Sequence, residues 1–283
     1  MSDAATATGS SASGGDDVLY RAEDGVAWIT LNRPEAGNAI TAGMREQVVA
    51  WLEEASAQLS VRVVVLTGAG EKGFCTGADL RSAAPGPDRP DGAPDRAVGD
   101  NARMIRSGWQ RLISAVLDCE KPVIAAVNAT AAGGGMHLAL ACDLVLAAEE
   151  AKFIEVFVRR GIAPDAGGAY LLPRLIGPQR AKELFFFGDD VPATLAAQMG
   201  LVNRVVPRAE LADLAAEWAG RLATGPTVAI GMAKYLTNRS LESDRAVALW
   251  DEAVGQELVT GSEDCREGLT AFAERRRPVF KGW

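Results

Sequence analysis

Two glycine-rich segments, each following an apolar run rich in β-branched residues, carry the residue types that could do chemistry. The first joins the run 123–127 to an apolar, helix-like stretch, 136–142, through Gly133-Gly134-Gly135. Glycine admits positive φ and lets a ligand come close to the main chain. A helix N-terminus leaves its first N–H groups unpaired, which suits a developing negative charge. A tight turn serving helix–strand packing would use the same glycines, and the triplet alone leaves both uses open. The second segment, 68–80, follows the apolar strand 62–67 and also ends in small residues around Gly77-Ala78. Two such loops at the ends of two strands can aim two N–H groups at one carbonyl oxygen.

Acid–base candidates are few. Asp165 stands in Pro164-Asp165-Ala166-Gly167-Gly168, where small neighbours permit close approach of a ligand. Burial there would raise its pKa and suit it to moving protons. The competing use is a cap on a helix starting near Ala166. His137, the single histidine, lies one helical turn after Gly134, either as a second proton carrier or as a satisfied core residue. Residues 68–73 match the G-x-G-x-x-G dinucleotide pattern, but another loop follows instead of a helix, and no acid-terminated strand follows at the right distance. The nucleophile elbow and the P-loop are absent from the sequence. One histidine excludes histidine-rich zinc sites, and no metal is expected.

The stretches 74–80 (Phe-Cys-Thr-Gly-Ala-Asp-Leu) and 131–143 (Ala-Ala-Gly-Gly-Gly-Met-His-Leu-Ala-Leu-Ala-Cys-Asp) together resemble the crotonase (enoyl-CoA hydratase/isomerase) superfamily. The likeness extends to 31–39, 161–168 and 268–282, in unbroken order over 17–282. It implies an α/β fold in which ββα turns wind into a spiral, with a C-terminal helical region that joins trimer contacts. It implies that Ala78 and Gly134 donate their backbone N–H groups to a thioester oxygen. Hydratases of the family carry glutamates where His137 and Phe157 stand here, so this chain lacks their two-carboxylate arrangement. Members with Pro-Asp-x-Gly at 164–167 place an isomerase base at Asp165; the aryl-CoA dehalogenase holds its nucleophilic aspartate there. The pattern Phe-Val-Arg-x-Gly-x-x-Pro-Asp is similar to the ring-opening isomerase of phenylacetyl-CoA degradation. Glu155 is a fallback acid, otherwise an outward, salt-bridged glutamate.

For CoA itself, the resemblance points to Arg33 and Ala36, to the backbone around Thr76, Asp79 and Leu80, and to Phe272 and Lys281 from the C-terminal segment or a neighbouring subunit. Arg275-Arg276-Arg277 is equally explicable as a solvated helix end. The expected activity is enoyl-CoA, or ring-bearing acyl-CoA, isomerisation with Asp165 as base. The alternatives are a hydratase using His137 or Glu155, and a non-catalytic CoA-binding oligomer. CoA enters as a thioester substrate, and no resident cofactor is expected.

These residues need elements to hold them. Asp24-Gly25 between 18–22 and 26–31 signals a β-hairpin. Thr41 can cap a helix whose apolar face runs Met44, Val48, Trp51, Leu52, Ala55 and Leu59. A strand at 63–66 precedes a long loop at 83–99, crowded with Pro, Gly and Asp. Helical periodicity runs through 102–117, strands are expected at 144–147 and 152–158, and helices fill the chain from about 178. Three regions follow: a disordered extension (1–15), a spiral core (16–205) and a helical oligomerisation region (206–283).

The 283 residues are 48% hydrophobic with a net charge of −8. That charge argues against a nucleic-acid surface or an anionic membrane. No apolar run approaches the roughly 18 residues of a membrane span. Four scattered cysteines without a C-x-x-C pair suggest free thiols in a reducing compartment, by default the cytosol. The expected partners are an acyl-CoA and further copies of the chain, as a trimer or a dimer of trimers.

Overall fold

The computed structural model describes residues 17–82 and 89–283. The expected N-terminal extension and residues 83–88 of the long loop lie outside them. In chain order the elements are β1 (Val18–Glu23), β2 (Val26–Leu31), α1 (Ala42–Ala57), β3 (Val63–Gly68), β4 (Gly73–Cys75), α2 (Asp100–Ile105), α3 (Arg111–Asp118), β5 (Val123–Val127), β6 (Thr130–Ala132), α4 (Gly134–Ala141), β7 (Leu144–Ala148) and β8 (Lys152–Ile154). There follow α5 (Gly168–Ile176), α6 (Pro178–Phe187), β9 (Asp190–Pro192), α7 (Ala193–Met199), β10 (Arg204–Val206), α8 (Arg208–Ala223), α9 (Thr227–Ser240), α10 (Arg245–Thr260) and α11 (Glu263–Glu274).

Two sheets share these strands, in the orders β1-β2-β3-β5-β7-β10 and β4-β6-β8-β9. The pairs β3–β4, β5–β6 and β7–β8 each give one strand to the large sheet and the next to the small one. Parallel pairing then sets successive turns of the chain side by side. This is the ββα spiral.

The central strands are apolar throughout because both faces are covered. Val64 and Leu66 face the main core with Ile29, Phe74 and Met136, whereas Val63 and Val65 face α8. The Thr41 cap is present: its hydroxyl accepts from Met44 N–H at 3.2 Å. Leu59 falls beyond α1 and is exposed.

The helix expected at 102–117 is present, as α2, one wide π turn (Arg106–Gln110) and α3 in unbroken succession. The strand expected at 152–158 ends at Ile154.

Leu211 is buried on the large sheet beside Ala215, Ala219 and Ala223, with Leu214, Trp218 and Leu222 packed against them. This face of α8 is therefore covered within the chain. On α10 and α11 the apolar side chains Leu249, Trp250, Val254, Leu258, Leu269 and Phe272 do stay exposed. Lys234 latches α9 to the core. Its Nζ lies 2.9 Å from the Asp143 carboxylate and donates to the Val116 carbonyl at 2.9 Å.

Candidate active site

The site forms where the small sheet ends. β4 and β6 are parallel neighbours, as are β6 and β8, so the residues after Cys75, Ala132 and Ile154 emerge in a row at one edge. Open α/β sheets bind ligands beyond the carboxyl ends of their strands. That row is Thr76-Gly77-Ala78, Gly133-Gly134 and Glu155-Val156-Phe157.

Ala78 makes a single bridge with Ile40. The bridge uses the Gly77 carbonyl, which accepts from Ile40 N–H at 2.8 Å, and the Asp79 N–H, which donates to Ile40 at 3.0 Å. The N–H of Ala78 itself therefore points to the other side. Gly134 opens α4, and the first bond of that helix runs from His137 N–H to the Gly133 carbonyl. The amides of the first turn thus lack helical acceptors. The two loops touch, since a Cβ on Gly77 would lie 3.7 Å from Gly134 N. Gly133 turns the chain with φ +54°, a conformation open to glycine.

Side chains wall this backbone site. A Cβ on Gly134 would sit 2.9 Å from the Trp109 ring, and one on Gly133 would sit 3.1 Å from Val156 and 3.5 Å from Phe157. Trp109 comes from the wide turn, and Phe157 stacks on His137 with ring centroids 5.4 Å apart. Cys75 lies beneath; burial pushes its thiol up to about 12, which rules it out as a nucleophile at neutral pH.

Asp165 overlooks the first turn of α4. The cap position of α5 is Gly167, not Asp165, and α5 has no side-chain cap. Only the backbone carbonyl of Asp165 is engaged, accepting from Gly168 N–H at 3.0 Å. Ala166 beside it is fully buried at φ +48°, a left-handed strain that tends to persist where function demands it. Burial raises the Asp165 carboxyl pKa above its ordinary value; His137 pulls it back and Glu155 pushes it up.

Glu155 corrects the sequence reading. It is not outward and salt-bridged at the surface but 1% exposed, with Oε1 2.7 Å from His137 Nε2. The signal was absent from the sequence, because the partners are 18 residues apart on different elements.

The proposed CoA contacts divide. Arg33, Ala36 and Asp79, with Glu35, Arg81 and Ser82, line an open cleft of about 350 Å³. Arg33 is largely committed within it, at 3.0 Å from the Asp79 carboxylate and donating to the Ala39 carbonyl at 2.9 Å. The Arg81 backbone N–H and the Arg33 guanidinium hold the Asp79 carboxyl below the usual range. Thr76 packs on Gly37, and Leu80 is exposed. Phe272 and Lys281 are not among the walls of this cleft; Lys281 Nζ lies 3.3 Å from Glu263 on α11. Asn38 has a structural role that the sequence did not signal. Fully buried at φ +55°, it accepts from Arg33 N–H and donates to the Ala69 and Gly73 carbonyls, tying the cleft loop to the strand ends.

A family model described as enoyl-CoA hydratase/isomerase matches residues 21–283. The chain is 38% identical to the 1,2-epoxyphenylacetyl-CoA isomerase of Escherichia coli K12, over 94% of this chain and 98% of that protein. It is 36% identical to the short-chain-enoyl-CoA hydratase of Clostridium acetobutylicum, over 93% and 96%. The crystal structure of enoyl-CoA hydratase from Bacillus anthracis superimposes with a TM-score of 0.85 at 36% identity, covering 95% of this chain and all of that one.

Proposed function

The chain belongs to the enoyl-CoA hydratase/isomerase family, and from that premise we propose that it is an isomerase of CoA thioesters. The observation that carries this reading is a half-buried Asp165 carboxyl that caps no helix and lies within electrostatic reach of His137, on whose ring the apolar Phe157 is stacked. Asp165 takes a proton from the carbon α to the thioester. The negative charge moves onto the thioester oxygen, where the N–H groups of Ala78 and Gly134 receive it. Such donors are worth about 3 kcal/mol each in the transition state. Asp165 returns the proton at the γ carbon, so the double bond shifts into conjugation with no net change of atoms. His137 is a second proton carrier. The Arg33–Ala36 loop and the Thr76–Leu80 backbone hold the CoA, which arrives and leaves as the thioester. No resident cofactor takes part. The free thiols of Cys75, Cys119, Cys142 and Cys265 fit a reducing compartment such as the cytosol.

Water addition needs a base within about 3 Å of the water. Phe157 offers none, and it fills space beside His137. Hydration of crotonyl-CoA is therefore expected to run at least about 10²-fold slower than isomerisation of a 3-enoyl or ring-bearing CoA ester. Following the conjugated absorbance decides the matter. Rapid hydration that survives replacement of Asp165 would overturn the isomerase reading.

The exposed apolar side chains of α10 and α11 support a homo-oligomer, a trimer or a dimer of trimers, because patches of that size imply partners. Light scattering at micromolar concentration is expected to give a multiple of three protomers; a monomer would refute this.

A further inference from the structure

His137 and Glu155 are both fully enclosed, yet each keeps one polar atom unused. Nε2 meets Oε1 at 2.7 Å, while Nδ1 and Oε2 are buried without partners. Buried polar atoms are nearly always paired, so an orphan on a proton-carrying ring calls for a reason. The ring is held on several sides. Phe157 stacks on it at an interplanar angle of 12°. Gly168 abuts it so closely that a Cβ there would lie 2.2 Å from Cε1 and Nε2. Gly168 is three residues after Asp165, whose carboxyl senses both members of the pair.

We propose that Glu155 is a positioning residue that fixes the tautomer of His137, leaving Nδ1 as the atom of that ring that exchanges protons. A carboxylate can only accept a hydrogen bond, so with Glu155 ionised the shared proton resides on Nε2. The neutral ring then carries a bare lone pair at Nδ1, the one nitrogen without a protein partner. Nδ1 can take the proton that Asp165 has removed, giving an imidazolium balanced by Glu155 and regenerating the Asp165 carboxylate; the reverse transfer restores the start. A third group orienting a base through its far nitrogen is a recurrent arrangement in catalysis. The role of Nδ1 in turnover rests on the isomerase reading above; the tautomer does not.

The chain has a single histidine, so nitrogen-15 labelling of histidine gives the spectrum of this ring alone. In the wild type, Nε2 is expected to carry the proton and Nδ1 to be bare. Glu155→Gln presents an amide that can donate to Nε2 and is expected to move the proton to Nδ1. It should lower kcat by about 10²-fold with KM for the CoA ester little changed. Glu155→Asp should recover part of both. A proton on Nδ1 in the wild type, in a neutral or doubly protonated ring, overturns the proposal, and this needs no variant to fold. So does a Glu155→Gln protein with unchanged tautomer or unchanged kcat. The expected tautomer in a protein that fails to isomerise 3-enoyl esters would support the Glu155 assignment and sink the isomerase reading instead.

Discussion

Asp165→Asn is expected to lose about 10²- to 10⁴-fold in turnover while binding of the CoA ester survives, the range that general acid–base groups contribute. The amide is close to the acid in shape and differs in one respect that matters: Asn cannot take up and return a proton. Stability gives a second readout with a definite sign. An acid whose folded pKa is raised supports the fold below its unfolded pKa, and that support is lost as pH rises through the folded pKa. At neutral pH, above the ordinary aspartate pKa, Asp165 is therefore a burden on the folded state. Asn removes the charge, so the variant should melt at or above the wild-type temperature. A helix cap alone would leave turnover unchanged, since Asn caps about as well as Asp. Near-wild-type turnover on the true substrate would show that Asp165 has no catalytic part.

Gly135→Ala is expected to destabilise the fold by about 3 kcal/mol or more, at the upper end of overpacking penalties. The added methyl would lie 2.0 Å from the carbonyl oxygen of Cys75 and 2.6 Å from its carbonyl carbon. Those are backbone atoms of β4, fixed by pairing with β6. Relief would require α4 to move off the strand, which also separates the amides of Ala78 and Gly134. Thioester turnover should fall along with the melting temperature. Gly43→Ala makes the control. That glycine is exposed in α1, where a Cβ would meet nothing nearer than 3.9 Å, so helix propensity should add about 0.5–1 kcal/mol of stability. Denaturant melts of both variants check the pair; equal effects would mean that the α4–β4 contact is looser than described.

The long elements were legible because their signals are local. Asp24-Gly25 gives the hairpin, Thr41 caps α1, and the glycine triplet opens α4. The spiral was legible only through the resemblance. Its small sheet is built from three-residue strands such as β4, β6 and β9, too short to display a period of two. The two glycine-rich loops come together because β4 pairs with β6, a fact of topology and not of composition. Glu155 was misplaced because glutamates are mostly exposed and no local signal announced its buried partner. The strand stops at Ile154, and the turn that follows directs the carboxylate inward to His137. Gly168 looked like a small residue granting access to Asp165; in the fold it is the cradle of the imidazole.

The wide turn at Arg106–Gln110 carries an implication for how such a site diverges. A helix advances about 100° per residue, so the number of residues in that turn decides which way Trp109 faces. Removing one would restore a regular helix but swing the indole away from Gly134, or else rotate the buried Leu112, Ile113 and Val116 out of the core. The wall above Gly134 is thus set by chain length as much as by residue type. Relatives whose wall differs here should differ by insertions and deletions, while point substitutions accumulate on the exposed side of the same turn.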